Sequence, residues 1–164
     1  MAIHAEGEFT LGDLWSGSML HARTTVMIFA ALGIAMLFVA TAGVFMRIKA
    51  IGSTRDEIAL VIVGAFWILY YPLMIYFRCA RNLKNPALQG LVRCDFNPNG
   101  YSRETPGARS EIKWNQIVKW RDGKTSFLLY PSPRSFIVIP KRFFQNSADV
   151  DSLRDILKSK IART

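Results

Sequence analysis

The chain has 164 residues and a formal net charge of +9 at pH 7, and 51% of its residues are hydrophobic. This length allows one globular domain, or a small domain joined to a further segment, and excludes several full-sized domains. The two cysteines are too few for a disulfide-rich secreted scaffold.

Residues 1–23 form an N-terminal segment that begins polar and continues with an amphipathic pattern. The sequence GEFTL is predicted to add a strand to a domain further along the chain. Thr10 is placed to cap a helix over 11–22, with Asp13 three residues later as in a capping box. The apolar side chains of this helix fall largely on one side. We therefore expect it to lie at a membrane interface or to run directly into the next segment.

Two charge-free runs follow, over residues 24–45 and 58–77. At about 1.5 Å per residue, each gives a helix of about 30 Å, which matches the hydrocarbon thickness of a bilayer. Neither run keeps the polar face of a soluble core helix, so the sequence predicts a two-span transmembrane hairpin within 24–85. The alternatives are two core helices of a soluble protein and a cleaved signal peptide that ends near ATA at 40–42.

The composition of the two runs is typical of an anchor. Small residues in the first run, together with Gly64 in the second, predict close helix–helix packing. Pro72 predicts a kink in the second helix. Neither run contains Asp, Glu, Lys, Arg or His, whereas transporters, proton relays and channels commonly place such groups at membrane depth.

Basic residues around the two runs give a weak indication of orientation. The connecting loop contains Arg47, Lys49 and Arg55. The predicted membrane-flanking residues on the opposite side are Arg23, Arg78, Arg81 and Lys84. Four cations against three favour N- and C-termini that both lie in the cytoplasm.

From residue 86 to residue 164 the pattern changes to the alternation that is typical of strands. Strands are predicted in LVRCDF, YSRETPG, ARSEIKW, IVKW, TSFLLY and SFIVIP, with a type I′ turn at Asp122-Gly123. A final helix begins at Asn146 or Ser147 and places Val150, Leu153, Leu157 and Ile161 at helical spacing. We therefore predict an α+β domain, an antiparallel bent sheet closed by one C-terminal helix.

The two tryptophans of this region are expected to be core or rim side chains of the β domain. The alternation that contains Ile112 and Trp114 is predicted to continue through Val118 to Trp120, with Gln116 as an interruption. Cations occupy the other face of this pattern, which favours a soluble β domain over a membrane-interface role for the tryptophans.

An ordered set of motifs resembles the YcxB-like family of small bacterial membrane proteins, over most of the chain from about Phe9 to Ile161. The motifs are Ile112-Lys113-Trp114, Ile117, Phe127 to Tyr130, and Ile139-Pro140-Lys141-Arg142-Phe143-Phe144. The resemblance implies a two-span protein of the bacterial inner (plasma) membrane. It also implies a C-terminal domain similar in plan to pleckstrin-homology-like (PH-like) domains, and it brings no catalytic residues with it.

The sequence contains no catalytic or metal-binding pattern. His4, His21, Cys79 and Cys94 show no metal-ligand spacing, and no histidine stands in a pattern with a nucleophile and a carboxylate. No glycine-rich phosphate loop is present. We expect no enzymatic activity, no cofactor and no metal. Nucleic-acid binding is also not expected, because the aromatic residues fall on the apolar side of the predicted strands.

The basic residues of the β domain are the candidate binding residues. They are Lys113, Lys119, Arg121, Lys124, Lys141 and Arg142. Cations near an anionic leaflet attract its headgroups, so the expected function is a non-enzymatic module that binds the lipid bilayer, anionic headgroups or an unidentified protein partner. The alternative is an accessory subunit of a membrane-bound enzyme or transporter.

Overall fold

The computed structural model describes residues 3–46, 54–85 and 88–161. The chain divides into two compact units, and the second is inserted into the first. The first unit consists of Met1–Leu20 and Cys79–Thr164, and the second of His21–Arg78. In the sequence-based division, by contrast, residues 1–23 were a segment of their own and the β domain began at residue 86.

The structure contains four α-helices and seven strands within the described ranges. In chain order they are β1 (Ile3–Gly7), α1 (Leu11–His21), α2 (Arg23–Met46), α3 (Thr54–Leu83), β2 (Val92–Asn97), β3 (Gly100–Thr105), β4 (Ala108–Lys113), β5 (Lys119–Asp122), β6 (Ser126–Ser132), β7 (Ser135–Pro140) and α4 (Ser147–Lys160).

The second unit is built from α2 and α3, which contain the two predicted spans. The stretches Arg23–Ala42 and Ile58–Leu83 are long and apolar enough to cross a membrane, each with a mean hydropathy of 2.3. Only 11% and 6% of their most apolar parts are buried. A core helix of a soluble protein would bury most of its apolar residues. Helix α3 continues through Pro72.

The two helices of this unit approach each other closely at two glycines. A Cβ atom on Gly33 would lie 2.6 Å from the carbonyl oxygen of Gly64 and 2.5 Å from Cγ1 of Ile68. A Cβ atom on Gly64 would lie 3.0 Å from the carbonyl oxygen of Gly33. The helices therefore pack backbone against backbone, as the small residues predicted.

The first unit contains two antiparallel sheets rather than one. Their strand orders are β1-β2-β3-β4 and β5-β6-β7. A short 3₁₀ turn, Trp114–Gln116, ends β4 and separates the two sheets. The predicted inward face of β2, with Val92, Cys94 and Phe96, is buried. Helix α4 buries Leu153 and Leu157 in the same core, which confirms the predicted closing helix.

Strand β1 completes the first sheet from the N-terminal side of the inserted helices. It pairs antiparallel with β2, with Ile3 opposite Phe96 and Gly7 opposite Val92. A strand was predicted in GEFTL, but the observed strand lies earlier in the chain. Its alternating buried residues are Ile3 and Ala5. Since β1 precedes and β2 follows the second unit, both ends of the helical insertion return to neighbouring strands.

Helix α1 packs on the sheet of β5, β6 and β7, whereas the sequence predicted that it lies at a membrane interface or runs directly into the next segment. Helix α2 does begin two residues after α1 ends. A Cβ atom on Gly17 would lie 2.8 Å from Cγ2 of Val138 and 3.4 Å from Cδ2 of Leu128. Phe9 and Leu20 pack on the same small cluster of buried residues. Apolar side chains of this segment therefore find protein partners.

The β5–β6 turn differs from the prediction. The N–H of Gly123 donates to the carbonyl of Ser126 at 2.9 Å, so Lys124 and Thr125 are the two loop residues. Gly123 does not have the positive φ that a type I′ turn requires, because Gly90 alone has one among the described glycines. The type I′ turn at Asp122-Gly123 is therefore wrong, since Asp122 still pairs with Phe127 in the strand.

The tryptophans lie in the core, as expected, but their alternation is interrupted. Trp114 and Trp120 are buried, and the indole N–H of Trp114 donates to the carbonyl of Asn97 at 2.8 Å. The 3₁₀ turn shifts the pattern by one residue. Ile117 therefore points inward, while Val118 is 59% exposed, so the predicted inward position of Val118 is wrong.

Candidate functional site

The six candidate cations do not form one free surface, because two of them are ion-paired within the fold. Lys141 Nζ lies 2.7 Å from Asp122 Oδ1, and Arg154 Nε lies 2.8 Å from the other carboxylate oxygen. Burial tends to raise the pKa of Asp122, but the interactions with Lys141 and Arg154 outweigh it and lower that pKa. Lys141 is therefore occupied in stabilising the fold.

Arg142 is the second occupied cation, and it joins α1 to the β domain. Its Nε and Nη2 atoms donate to the carboxylate of Asp13, with a shortest distance of 2.6 Å. The Arg142 guanidinium also donates to the carbonyl of Glu8. Burial tends to raise the pKa of Asp13, but Arg142 and Thr10 lower it below its ordinary value. Arg142 therefore forms a docking contact for the N-terminal helix, and its binding role stays a prediction.

The same aspartate completes the helix cap that the sequence predicted. The backbone N–H of Thr10 donates to Asp13 Oδ2 at 2.8 Å, and the N–H of Asp13 donates to Thr10 Oγ1 at 3.3 Å. This reciprocal pair is a capping box. It directs the Asp13 carboxylate toward Arg142. The capping pattern was visible in the sequence, whereas the partner 129 residues later was not.

The charges of Lys119 and Arg121 are not neutralised by an ion pair, because the two side chains contact an aromatic ring instead of a carboxylate. Lys119 Nζ lies 4.9 Å from the centroid of the Tyr130 ring, and Arg121 Cζ lies 6.0 Å from it. No carboxylate of the described ranges lies within 4.0 Å of either cation. Arg121 Nη1 also donates to the carbonyl of Leu20 near the end of α1, at 3.4 Å. Burial raises the pKa of Tyr130 despite the nearby Arg121.

Lys113 and Lys124 are exposed and lie on other elements. Lys113 is the last residue of β4, and its backbone N–H donates to Gln116 Oε1 at 3.0 Å. Lys124 lies in the β5–β6 turn, next to Gly123, whose hypothetical Cβ would be 2.5 Å from Leu20 Cδ2. The structure therefore brings Lys119, Arg121 and Lys124 to β5 and its turn, and leaves Lys113 on the other sheet. We name Lys119, Arg121 and Lys124 the β5 basic surface.

The four residues that are predicted to flank the membrane are all exposed. Arg23 begins α2, and the other three lie at the end of α3 or just beyond it: Arg78, Arg81 and Lys84. Of the three loop cations, Arg55 lies at the start of α3, whereas Arg47 and Lys49 lie outside the described residues.

A polar surface groove of about 370 Å³ lies over β1 and β2, where the sequence indicated nothing. His4, Glu6, Arg93, Asp95 and Gln145 line it. Its contacts are cross-strand pairs, including His4 Nδ1 and Asp95 Oδ1 at 2.5 Å. In the part of the chain that the structure describes, no three His, Cys, Asp or Glu residues are grouped as a metal site.

The two cysteines are free and buried. Cys79 Sγ donates to Ser18 Oγ at 3.4 Å, and Cys94 Sγ lies 3.5 Å from the hydroxyl of Tyr101. Burial raises the pKa of the Cys94 thiol. A buried thiol with a raised pKa is a poor nucleophile at neutral pH, so Cys94 acts as a packing residue.

The comparison with protein families agrees with the sequence motifs. Residues 96–157 match the model of the family described as YcxB-like protein. This match runs from the end of β2 into α4 and lies within the first unit. It confirms the resemblance for that part of the chain. A comparison with curated proteins finds no match.

Proposed function

We propose that this chain, whose residues 96–157 match the YcxB-like family, is an integral membrane protein with a non-enzymatic β domain that binds anionic lipid headgroups. In this proposal α2 and α3 form the membrane anchor. The β domain has a PH-like plan of four strands, three strands and a closing helix, with its first strand supplied from before the anchor. The β5 basic surface is the lipid-binding site.

The contact between Arg121 and the carbonyl of Leu20 is the observation that carries the proposal. Leu20 lies four residues before Thr24, where the charge-free run of the first span begins. Four residues of fully extended chain reach at most about 14 Å. In a membrane-inserted chain, chain connectivity alone therefore keeps the Leu20 end of this contact within about 14 Å of the start of the apolar run, which is near the membrane surface.

The energetics suit a surface contact of moderate strength. Each cation near an anionic leaflet contributes about 1 kcal/mol, and salt screens this attraction. Lys119 and Arg121 together therefore favour anionic over neutral lipid by about thirty-fold. The Tyr130 ring limits the mobility of both side chains without neutralising their charge.

We further propose a bacterial inner-membrane location with both termini in the cytoplasm. The pairing of β1 with β2 supports two termini on one side, because both ends of the inserted helices must reach the same sheet. The choice of the cytoplasmic side rests on the charge bias of the flanking residues. A reporter fused after Thr164 tests it, and an external C-terminus contradicts it.

Photo-crosslinking in native membranes tests the lipid-binding site on the full chain. A photoreactive residue replaces Val118, which is 59% exposed and precedes Lys119, so every cation is retained. The matched control site is Asp155 on α4, whose side chain is 74% exposed. We expect lipid adducts from position 118 that are enriched in anionic lipid relative to the membrane, and that decrease at high salt.

Charge variants separate lipid binding from simple proximity. Lys119→Gln should reduce the anionic enrichment at position 118 by about five-fold, the equivalent of one cation. Lys124→Arg, which retains the charge on the same surface, should leave it unchanged. Equal yields of neutral and anionic adducts would exclude the proposed site. An adduct with a second protein would instead indicate an accessory subunit and identify its complex.

A further inference from the structure

The outer edge of β4 is an open strand edge. β4 is the last strand of its sheet and pairs with β3 on one side only. Within residues 3–46, 54–85 and 88–161, no strand pairs with its other side. Five of its six residues are exposed, the exception being the half-buried Ile112. An open edge of this kind presents unpaired backbone groups to another strand.

The register of the β3–β4 hairpin determines which backbone groups face outward. Thr105 and Ala108 close a two-residue loop and so form a hydrogen-bonded pair. The N–H of Trp114 donates to the carbonyl of Asn99 at 3.3 Å, which fits the same alternation at the far end of the hairpin. Even-numbered residues of β4 therefore bond to β3, and the odd-numbered residues direct their backbone groups to the open edge.

The side chains at these outward positions carry a self-complementary charge pattern. They belong to Arg109, Glu111 and Lys113. Arg109 and Glu111 share a face, with Arg109 Nη2 at 3.3 Å from Glu111 Oε1, and both side chains are about 70% exposed. In an antiparallel pair of identical strands, a cation two residues from an anion can lie opposite the anion of the second copy.

Among the registers that overlap over most of β4, one satisfies both the backbone groups and the charges. A register centred on Ile112 also sets unlike charges opposite each other, Glu111 against Lys113, but it pairs only residues 111–113 of β4. Placing Ser110 opposite Ser110 of a second copy sets each Arg109 against the other copy's Glu111. If the register is shifted so that Glu111 faces Glu111 of the second copy, Arg109 faces Lys113 of the second copy. If it is shifted the other way, Arg109 faces Arg109 of the second copy. Both shifts place like charges directly opposite each other, which is destabilising.

We infer that the β4 edge pairs with the β4 edge of a second copy of this chain, with Ser110 on the two-fold axis. Each Arg109 then faces Glu111 of the other copy, and these two residues form a hydrogen-bonded pair of the antiparallel ladder. The two four-stranded sheets become one continuous sheet of about eight strands, a size within the normal range. The interaction is isologous, as expected for a two-fold dimer. It is independent of the β5 basic surface and of lipid binding.

Disulfide trapping in native membranes tests the register with the full chain. In Ser110→Cys the two new thiols lie at a non-hydrogen-bonded pair, where Cβ atoms are about 4.5–5.5 Å apart and a disulfide forms readily. In the control Ala108→Cys the two thiols lie about 13 Å apart along the strands, too far for a disulfide. We expect an oxidised dimer from position 110 and none from position 108. The native thiols are buried and present in both variants.

Charge reversal supplies the second readout in the Ser110→Cys background. Arg109→Glu alone, or Glu111→Arg alone, sets like charges opposite each other and should reduce the trapped dimer by about ten-fold. The double variant Arg109→Glu with Glu111→Arg should restore it, which also shows that the exposed substitutions leave the fold intact. Absence of the dimer, equal trapping at positions 108 and 110, or no recovery in the double variant would overturn the inference.

Discussion

The contact between α1 and the β5–β6–β7 sheet gives a sharp prediction at Gly17. A Cβ atom there would lie 2.8 and 2.9 Å from the two methyl carbons of Val138, distances that real Cβ atoms do not adopt. Gly12, in the same helix, is exposed, and its nearest neighbour would be Thr10 Oγ1 at 3.7 Å, an ordinary contact. Neither glycine has a positive φ. Alanine is therefore compatible with the backbone at both positions.

The two substitutions should affect the stability of α1 differently. Alanine favours a helix over glycine by at most about 1 kcal/mol at either site. At Gly17 this gain is opposed by overpacking against Val138, which costs about 1–3 kcal/mol. The difference between the two variants isolates the overpacking. It should amount to about 5- to 150-fold in the rate of hydrogen exchange.

Hydrogen exchange of the α1 amides in the full chain measures this difference. We expect slower exchange in Gly12→Ala than in the parent, and clearly faster exchange in Gly17→Ala than in Gly12→Ala. Protection in Gly17→Ala that equals or exceeds that in Gly12→Ala would show that α1 does not pack on this sheet. A Gly17→Ala effect spread over all strands, with α1 no more exposed than the rest, would also contradict the reasoning.

The remaining predictions concern one ion pair and one helix crossing. Asp13→Asn should destabilise the docking of α1 by about 1–2 kcal/mol, because the bonds from Arg142 lose their charge assistance while the half-exposed guanidinium can rehydrate. The folded pKa of Asp13 is lowered, so its stabilisation is present above the ordinary value of 3.8 and is lost as the pH falls through the lowered pKa. Hydrogen exchange of α1 as a function of pH measures both effects. Gly33→Leu should separate α2 from α3, since its side chain would enter the space of the Gly64 carbonyl, and thermal unfolding in detergent measures the loss.

Matched variants accompany these measurements. Ala31 is exposed on the same helix as Gly33, so Ala31→Leu should leave the unfolding temperature close to that of the parent. An equal loss in both leucine variants would attribute the effect to added bulk rather than to the crossing. For the ion pair, Asp13→Asn should remove the acid-induced change in α1 exchange, and an unchanged pH profile would contradict the role of Asp13.

Local patterns predicted the elements of this fold better than their partners. The 3.6-residue period of α4, the alternation of β2 and the charge-free runs each depend on neighbouring residues, and each predicted its helix or strand correctly. The pairing of Ile3 with Phe96 and the packing of Gly17 on Val138 depend on distant residues. No local pattern contains them, and the packing of α1 on the sheet was therefore not predicted.

The candidate site shows the same limit in electrostatic terms. The sequence around a basic residue does not indicate its carboxylate partner when that partner is distant in the chain. Lys141 and Arg142 therefore resembled Lys119 and Arg121 until Asp122 and Asp13 were located beside the former two.

The pairing of β1 with β2 has a consequence for biogenesis. Strand β1 leaves the ribosome first, but its partner follows only after both apolar helices have been synthesised. In the proposed membrane arrangement, a chain that inserted only one of the two helices would leave β1 and β2 on opposite faces of the bilayer. The sheet would then lack its edge strand, and Val92 and Phe96 would lose their cover. In that arrangement, folding of the domain would depend on the insertion of both helices.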